Sequence, residues 1–213
     1  MFRPAAAATA AIAILSPCAP EAHAQETATA EGVLAPENAN EARLNRLQPP
    51  DQVMDAIGIQ AGMIGAEIGA GRGRYVVQLA VRVGESGKIY AEDIDATALR
   101  HLDQRCERWG LANVVSILGD VTDPRLPAGE LDFIFAISSY HHFSDPITLL
   151  RNARSALKPE GMVAIGEWLQ STSPEEIEAQ MSAAGYTLER TETFLEANDL
   201  YIYVFRIADA HRQ

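Results

Sequence analysis

The chain has 213 residues, 47% of them hydrophobic, which suits one α/β domain with a substantial core rather than two domains of ordinary size. Its formal net charge is −12, from 17 basic and 29 acidic side chains. This balance argues against nucleic acid as a partner and against electrostatic docking on an anionic membrane, since both need a basic surface.

The first 24 residues differ from the rest of the chain. Arg3 precedes a run of small and apolar residues, and Ala22-His23-Ala24 then forms an A-x-A cleavage pattern. The run is shorter than the roughly 20 apolar residues of a membrane-spanning helix. We therefore expect a signal peptide over 1–24, export to the periplasm and no stable membrane association after cleavage. The alternatives are a disordered alanine-rich tail and, if the leader is not used, a cytoplasmic protein.

Residues 25–50 are polar and rich in alanine and proline without a sustained period, so we expect a flexible linker and lead-in there. The predicted domain covers 51–207, with a tail over 208–213. It begins with a short helix, "DQVMDAIGI", for which Asp51 is the expected cap.

Only two cysteines are present, Cys18 and Cys106, and neither has a partner at metal-ligand spacing. We expect no metal site.

Strand and helix patterns alternate through the domain. In chain order we predict a strand "GMIGAEIG", a helix "RYVVQLAVRVG", a strand "KIYAEDI", a helix "DATALRHLDQRCERWG", strands "NVVSILGD" and "ELDFIFAIS", a helix "DPITLLRNARSALK", a strand "GMVAIGEW", a helix "SPEEIEAQMSAAG" and strands "YTLERTETF" and "LYIYVFRI". This alternation predicts a mostly parallel sheet with right-handed crossovers. The connection over 195–199 is too short for a helical crossover, so the last two strands should form an antiparallel hairpin.

A glycine-rich loop, "EIGAGRGRY" over 67–75, follows the first predicted strand. Ligands of such sheets bind beyond the carboxyl ends of the strands at this switch point, and glycine lets the backbone turn with positive φ and approach the ligand. A dinucleotide site has the spacing G-x-G-x-x-G, but Arg74 stands where its third glycine belongs. The spacing therefore disfavours an NAD-dependent oxidoreductase, which we keep as an alternative.

The pattern E-x-G-x-G-x-G instead resembles motif I of the class I S-adenosylmethionine-dependent methyltransferases. Asp93, about 20 residues beyond the loop, and Asp120 end the next two strands at the positions where that family has acids. Residues 131–168 resemble the ubiquinone-biosynthesis-like (methyltransferase type 11) branch. The resemblance implies a Rossmann-like, doubly wound, three-layer α/β/α fold, with seven strands in the order 3-2-1-4-5-7-6 and the last strand antiparallel.

The resemblance also implies S-adenosylmethionine as cofactor and methyl transfer to a small-molecule acceptor, with a non-catalytic S-adenosylmethionine-binding module as the alternative. In this reading Asp93 binds the ribose hydroxyls and Asp120 lies near the adenine amino group. The full set of candidate cofactor-binding residues is Glu67, Gly69, Ala70, Gly71, Gly73, Asp93, Ile94, Asp120, Val121 and Ile137.

The loop after the fourth strand should face the methyl acceptor. Its candidate catalytic residues are His141 and His142, as a general base, and Tyr140, which lines the pocket or packs against the next helix. The alternative for a histidine is a structural hydrogen bond to the backbone. The loop lacks the Asn/Asp-Pro-Pro-aromatic motif of amino methyltransferases, which disfavours planar nitrogen acceptors. The single cysteine left after cleavage disfavours arsenite.

Two arginines, Arg72 and Arg74, are unusual beside a cationic sulfonium, so we expect both to point away from the sulfur, to the methionyl carboxylate, an acidic neighbour or solvent. Glu167 is expected to mark the wet end of the fifth strand rather than contact the ligand. Trp109 and Trp168 are expected to be core or rim residues rather than substrate platforms.

Overall fold

The computed structural model describes residues 35–208, so the predicted signal peptide and most of the C-terminal tail lie outside the described part of the chain. The helices are α1 (Ala39–Leu47), α2 (Pro50–Ile57), α3 (Val76–Val83), α4 (Ala96–Trp109), α5 (Pro146–Ala153) and α6 (Pro174–Ala183). The strands are β1 (Ile64–Ile68), β2 (Lys88–Asp93), β3 (Val114–Leu118), β4 (Leu131–Ile137), β5 (Leu157–Trp168), β6 (Tyr186–Glu192) and β7 (Leu200–Ile207).

The seven strands form one sheet in the order β3-β2-β1-β4-β5-β7-β6. The pairs from β3 to β5 are parallel, whereas β7 runs antiparallel to both β5 and β6. The predicted order and the antiparallel last strand are therefore confirmed. Helices α2, α3 and α4 bury apolar side chains against one face of the sheet, and α5 and α6 do so against the other, which gives the predicted three layers.

Helix starts follow the capping chemistry of the sequence at three places. The side chains of Asp95, Asp145 and Ser173 each accept a hydrogen bond from a backbone amide in the first turn of α4, α5 and α6. The expected Asp51 cap is wrong, because the N-cap of α2 lies two residues earlier, at Pro49. Pro50 occupies the first helical position, where an amide hydrogen would have no partner in any case.

Two other boundaries differ from the prediction. The predicted helix after the fourth strand extends through Lys158, but α5 ends at Ala153 and continues as a short 3-10 turn over Arg154–Ala156. β5 then begins at Leu157 rather than Gly161, with a register shift in its pairing to β4. Pro159 accounts for this difference, because the residue before a proline is disfavoured in helical conformation.

The segment before the predicted domain is not entirely a linker. Residues 39–47 form helix α1, capped by Asn38, and its Glu41 makes a buried ion pair with Arg105 of α4 at 2.5 Å. The side chain of Arg105 is fully buried. The alanine and polar composition that suggested a linker also suits a helix, and one long-range ion pair is invisible to local sequence periodicity.

The central strand β1 packs unusually tightly against its neighbour. A Cβ atom on Gly65 would lie 2.1 Å from the ring of Phe133 in β4. Glycine at this position therefore allows the close packing of the two strands. None of the helices in the described range 35–208 is long and apolar enough to cross a membrane.

Candidate functional site

The carboxyl ends of β1, β2, β3 and β4 meet at one edge of the sheet, where they surround a cleft of about 310 Å³. Parallel strands place their carboxyl ends together, so loops distant in sequence become neighbours at this edge. The cleft is lined by Ile68, Gly69, Gly71, Glu92, Asp93, Ile94, Asp120, Val121, Ser138, Ser139, His142, Phe143, Ser144 and Leu149. Six of the ten predicted cofactor residues and His142 are among them.

The glycine loop forms one wall of the cleft. The amides of Gly69 and Ala70 both donate to the carbonyl oxygen of Glu92, which fixes the loop against the end of β2. Gly71 has a φ of +55°, and a Cβ atom there would meet nothing within 4 Å. Its α-carbon therefore leaves open space for a ligand to approach the backbone closely.

Gly69 and Gly73 have a different role from Gly71. Their φ angles are +76° and +82°, and a Cβ atom would lie 2.8 Å from Ser139 at Gly69 and 2.2 Å from Leu102 of α4 at Gly73. Gly73 therefore serves helix packing, and it does not line the cleft.

Asp93, at the end of β2, is held by two backbone amides. Its Oδ2 accepts from Gly71 N at 2.7 Å and its Oδ1 from Asp95 N at 2.8 Å. A carboxylate oxygen can accept two hydrogen bonds, so each oxygen keeps one acceptor position for a ligand hydroxyl. The two amides fix the carboxylate in place without using up its capacity to bind a vicinal diol.

The far end of the cleft combines an acid with exposed apolar side chains. Asp120 Oδ1 accepts from the amide of Val121 at 2.7 Å. Ile94 and Val121 line the cleft although 60% and 41% of their surfaces are exposed. Exposed apolar side chains beside a carboxylate suit a flat aromatic ligand that carries an amino group. The aromatic ring would cover the apolar surface, and the carboxylate would accept a hydrogen bond from the amino group.

Four predicted cofactor residues do not line the cleft. Ala70 and Ile137 are buried behind its wall, and Gly73 packs on α4. Glu67 is also buried, and burial raises the pKa of its carboxyl from 4.5 to about 8 although the Arg74 guanidinium opposes this. The Oε2 atom of Glu67 has no hydrogen-bond partner among the described residues.

Glu92 lines the cleft although it was not among the predicted site residues. It is buried, with 2% of its surface exposed, and its Oε1 has no hydrogen-bond partner within the described chain. Burial, followed by the neighbouring charge of Asp93, raises the pKa of this carboxyl to about 8. Side chains of consecutive residues in a strand point to opposite faces of the sheet. The sequence alone did not reveal which of the acids at the end of β2 would be buried.

Tyr140 does not face the ligand cleft. Its hydroxyl donates to Gln180 Oε1 of α6 at 2.7 Å, and its ring packs against Phe143. The prediction of a catalytic role for Tyr140 does not fit this placement, and the hydroxyl contacts α6 rather than α5, the next helix in the chain. An aromatic residue in a loop can turn to either side of the sheet, and only the packing of α5 and α6 decides between them.

His141 and His142 lie side by side, with ring centroids 4.0 Å apart. His142 lines the cleft, whereas His141 is directed to the end of β5, where its Nδ1 lies 2.9 Å from Glu167 Oε2. Glu167 is buried and also accepts from the amides of His141 and Trp168. The expectation that Glu167 only marks a wet strand end is therefore wrong.

The two arginines of the glycine loop have separate partners. Arg74 donates to Gln48 Oε1 at 2.5 Å and to Asn45 Oδ1 at 3.3 Å, and it stacks on the ring of Tyr75. Arg72 is exposed, with His101 Nδ1 3.4 Å from its guanidinium. Neither arginine lines the cleft.

Ser138 follows β4 and is the non-glycine cleft residue with a left-handed backbone, at φ +54°. Its hydroxyl oxygen accepts hydrogen bonds from Gln48 Nε2 at 2.7 Å and from Trp168 Nε1 at 3.0 Å. Trp168 is therefore a rim residue that positions a cleft side chain. Gln48 is fully buried and comes from the predicted linker, where no local signal marks it as part of the site.

Among residues 35–208, no group of three or more histidine, cysteine or acidic side chains is arranged to hold a metal ion. Cys106 is a buried free thiol, and burial raises its pKa to about 11. A thiol in this state is a poor nucleophile and a poor metal ligand.

A family model described as a methyltransferase domain matches residues 66–161. Among curated proteins, nocamycin O-methyltransferase of Saccharothrix syringae is 32% identical over 115 residues, which cover 54% of this chain and 41% of that protein. Demethylmenaquinone methyltransferase of Geobacillus kaustophilus is 26% identical over 122 residues, which cover 57% and 52%. The chain thus spans about half the length of the curated relatives it matches.

Solved structures resemble the chain over a larger part of its length. A S-adenosylmethionine-dependent methyltransferase from Aquifex aeolicus superposes with a TM-score of 0.72 and 25% identity, covering 79% of this chain and 97% of that one. A geranyl diphosphate methyltransferase, solved in complex with S-adenosylmethionine, superposes with a TM-score of 0.62 and 14% identity over 82% and 93% of the two chains. The second likeness concerns the fold alone.

Proposed function

We propose that the chain is a class I S-adenosylmethionine-dependent methyltransferase, which transfers a methyl group from S-adenosylmethionine to a small-molecule acceptor. The observation that carries the proposal is the arrangement in one cleft of an open glycine backbone at Gly71, a fixed carboxylate at Asp93 and an acid at Asp120. Each of these matches a different part of an adenosyl cofactor.

The residues present fit that cofactor. Asp93 retains an acceptor position on each oxygen for the two ribose hydroxyls. Ile94 and Val121 offer exposed apolar surface to the adenine, and Asp120 offers an acceptor to its amino group. A cleft of about 310 Å³ is in the range of small-molecule sites.

When bound, the cofactor supplies an electrophilic methyl group on a sulfonium. The protein then needs to align the acceptor and, for a hydroxyl acceptor, to take up its proton. His141 suits this second role. A carboxylate oxygen of Glu167 accepts from Nδ1, so Nδ1 carries the hydrogen of the neutral imidazole and Nε2 carries the lone pair.

This pair of residues favours a hydroxyl-bearing acceptor. Glu167 orients the ring of His141, as a carboxylate does in other histidine bases, and His142 places the pair beside the cleft. Nocamycin O-methyltransferase, one of the relatives, is named for methylation at oxygen. An acceptor that loses no proton on methylation, such as a tertiary amine or a thioether, would not need His141.

Cofactor binding tests the proposal first. The full chain should bind S-adenosylmethionine and S-adenosylhomocysteine by isothermal titration calorimetry and should not bind NAD. Replacing Asp93 by alanine removes two charge-assisted hydrogen bonds to the ribose, so the affinity for both adenosyl ligands should fall at least about 30-fold. The control is Asp103→Asn, which changes an acid on α4 that contacts Ser116 away from the cleft. NAD binding with no adenosyl binding would refute the proposal.

Turnover is tested separately from binding. S-adenosylhomocysteine formation would be followed with a panel of small phenols, alcohols and thiols. The His141→Ala and Glu167→Gln variants should lose at least tenfold in turnover with hydroxyl acceptors while still binding S-adenosylhomocysteine. Cofactor binding without turnover on any acceptor would instead favour the non-catalytic binding module.

We also propose that the chain is exported to the periplasm. The proposal rests on the leader pattern around Arg3 and Ala22-His23-Ala24, which lies outside the described residues. The mature N-terminus measured by mass spectrometry after expression should be Gln25. An intact Met1 in the cytoplasmic fraction would contradict export.

A further inference from the structure

The side-chain hydroxyl of Ser138 is fixed by hydrogen bonds from two different parts of the fold. A serine hydroxyl has two acceptor positions and one hydrogen to donate. Both acceptor positions are used, one by Gln48 Nε2 and one by Trp168 Nε1. The indole N–H can only donate, so Trp168 is the donor and the Ser138 hydroxyl oxygen is the acceptor of this hydrogen bond.

The direction of the Gln48 hydrogen bond is fixed by Arg74. A guanidinium can only donate, and it donates to Gln48 Oε1 at 2.5 Å. The amide oxygen of Gln48 therefore faces Arg74, and its NH₂ group faces Ser138. The backbone oxygen of Gln48 also accepts from the Tyr75 hydroxyl at 2.9 Å, which anchors this buried residue.

The hydrogen of Ser138 is left to donate outward. No acceptor for it is present within the described residues, and Ser138 lines the cleft. Its φ of +54° is unfavourable for a residue with a Cβ atom, and the two donors hold it there. The arrangement thus presents one oriented O–H donor to a ligand.

The chain of hydrogen bonds indicates what kind of group this donor suits. It begins at a cation, Arg74, and every bond runs from donor to acceptor through Gln48 to Ser138. Bonds aligned in this way polarise one another, so the terminal O–H is matched best to an anionic oxygen. At the other end of the cleft, Asp93 and Asp120 would repel an anion.

We propose that Ser138, oriented by Gln48 and Arg74, donates a hydrogen bond to the methionyl carboxylate of the cofactor. This inference rests on the proposed function, since it assigns one end of the same cofactor site. The carboxylate is the anionic group of S-adenosylmethionine, and the ribose end is assigned to Asp93. Segment 39–50 thereby becomes part of the site, because it contributes Gln48.

The test compares two ligands that differ at the group in question. S-adenosylhomocysteine carries the carboxylate, whereas 5′-methylthioadenosine has the same nucleoside and thioether sulfur without the amino-acid part. In the full chain, Ser138→Ala should lower the affinity for S-adenosylhomocysteine about tenfold, equivalent to about 1.4 kcal/mol. The affinity for 5′-methylthioadenosine should change less than twofold.

Two further variants guard against a folding effect. Ser138→Gly also removes the hydroxyl but suits a φ of +54°, so it should lose the same affinity without losing stability to urea. Gln48→Glu keeps the contact with Arg74 but turns a donor into an acceptor, so it should draw the Ser138 hydrogen away from the ligand and reproduce the loss.

The outcomes are distinct. Equal loss for both ligands, or no loss for S-adenosylhomocysteine, would overturn the role of Ser138 while leaving the methyltransferase function standing. Failure of the wild-type chain to bind S-adenosylhomocysteine would overturn both proposals together.

Discussion

The buried carboxyl of Glu67 predicts that the fold loses stability as the pH rises, and Glu67→Gln should remove part of that loss. Burial raises the pKa of Glu67 to about 8, against an ordinary value of 4.5 in the unfolded chain. Between these values the folded state binds a proton that the unfolded state has released, so unfolding becomes more favourable with increasing pH. The contribution is fully present below pH 4.5 and is lost up to about pH 8.

The size of the effect follows from the pKa. Each pH unit between the unfolded and folded pKa changes the unfolding free energy by about 1.4 kcal/mol, so Glu67 costs the wild type about 2.7 kcal/mol between pH 6 and pH 9. Glutamine is close in shape to the protonated carboxyl. The variant should match the wild type near pH 4.5, and its stability advantage over the wild type should grow by about 2.7 kcal/mol between pH 6 and pH 9.

Urea unfolding followed by circular dichroism at pH 6 and pH 9 measures this difference. Glu85→Gln provides the matched control, because Glu85 is exposed and its side chain has no hydrogen bond or ion pair with any other residue in the range 35–208. Glu92 titrates in the same range, so Glu67→Gln should reduce the pH dependence without abolishing it. An unchanged difference between pH 6 and pH 9 in the variant would refute the reasoning for Glu67.

Three other substitutions test the packing that positions the cleft. Gly65→Ala should destabilise the fold by more than about 3 kcal/mol, with partial recovery in the Phe133→Leu background, because the new methyl collides with that ring; no recovery would contradict the contact. Glu41→Gln should cost about 3 kcal/mol in urea unfolding, because it leaves the charge of Arg105 buried without its partner; a cost below about 1 kcal/mol would show that α1 is loosely held. Tyr140→Phe should lower the unfolding free energy by about 1 kcal/mol and leave S-adenosylhomocysteine affinity unchanged in calorimetry, since its hydroxyl faces away from the cleft; a loss of affinity would return Tyr140 to the site.

The sequence by itself determined the order of the elements from α2 onward and the location of the cleft. Hydrophobic periodicity and the caps at Asp95, Asp145 and Ser173 indicate where helices and strands lie. These signals can be found in the sequence because local structure depends on residues that are close in the chain. Strand–helix alternation then leaves a parallel sheet as the consistent arrangement, and its switch point lies at the glycine loop. Asp93 and Asp120 could be selected because they end strands at this edge, at the positions where the methyltransferases that the loop resembles have acids.

Only the tertiary structure decided which side chains reach the cleft. Glu67 and Tyr140 turn away from it, whereas Glu92 turns into it, because a side chain at a strand end or in a loop follows packing that is set by distant elements. Gln48 reaches the cleft across 90 residues of chain to Ser138, and His141 reaches Glu167 across 26. Such long-range pairs leave no period or motif in the sequence, since their partners are brought together by the fold alone.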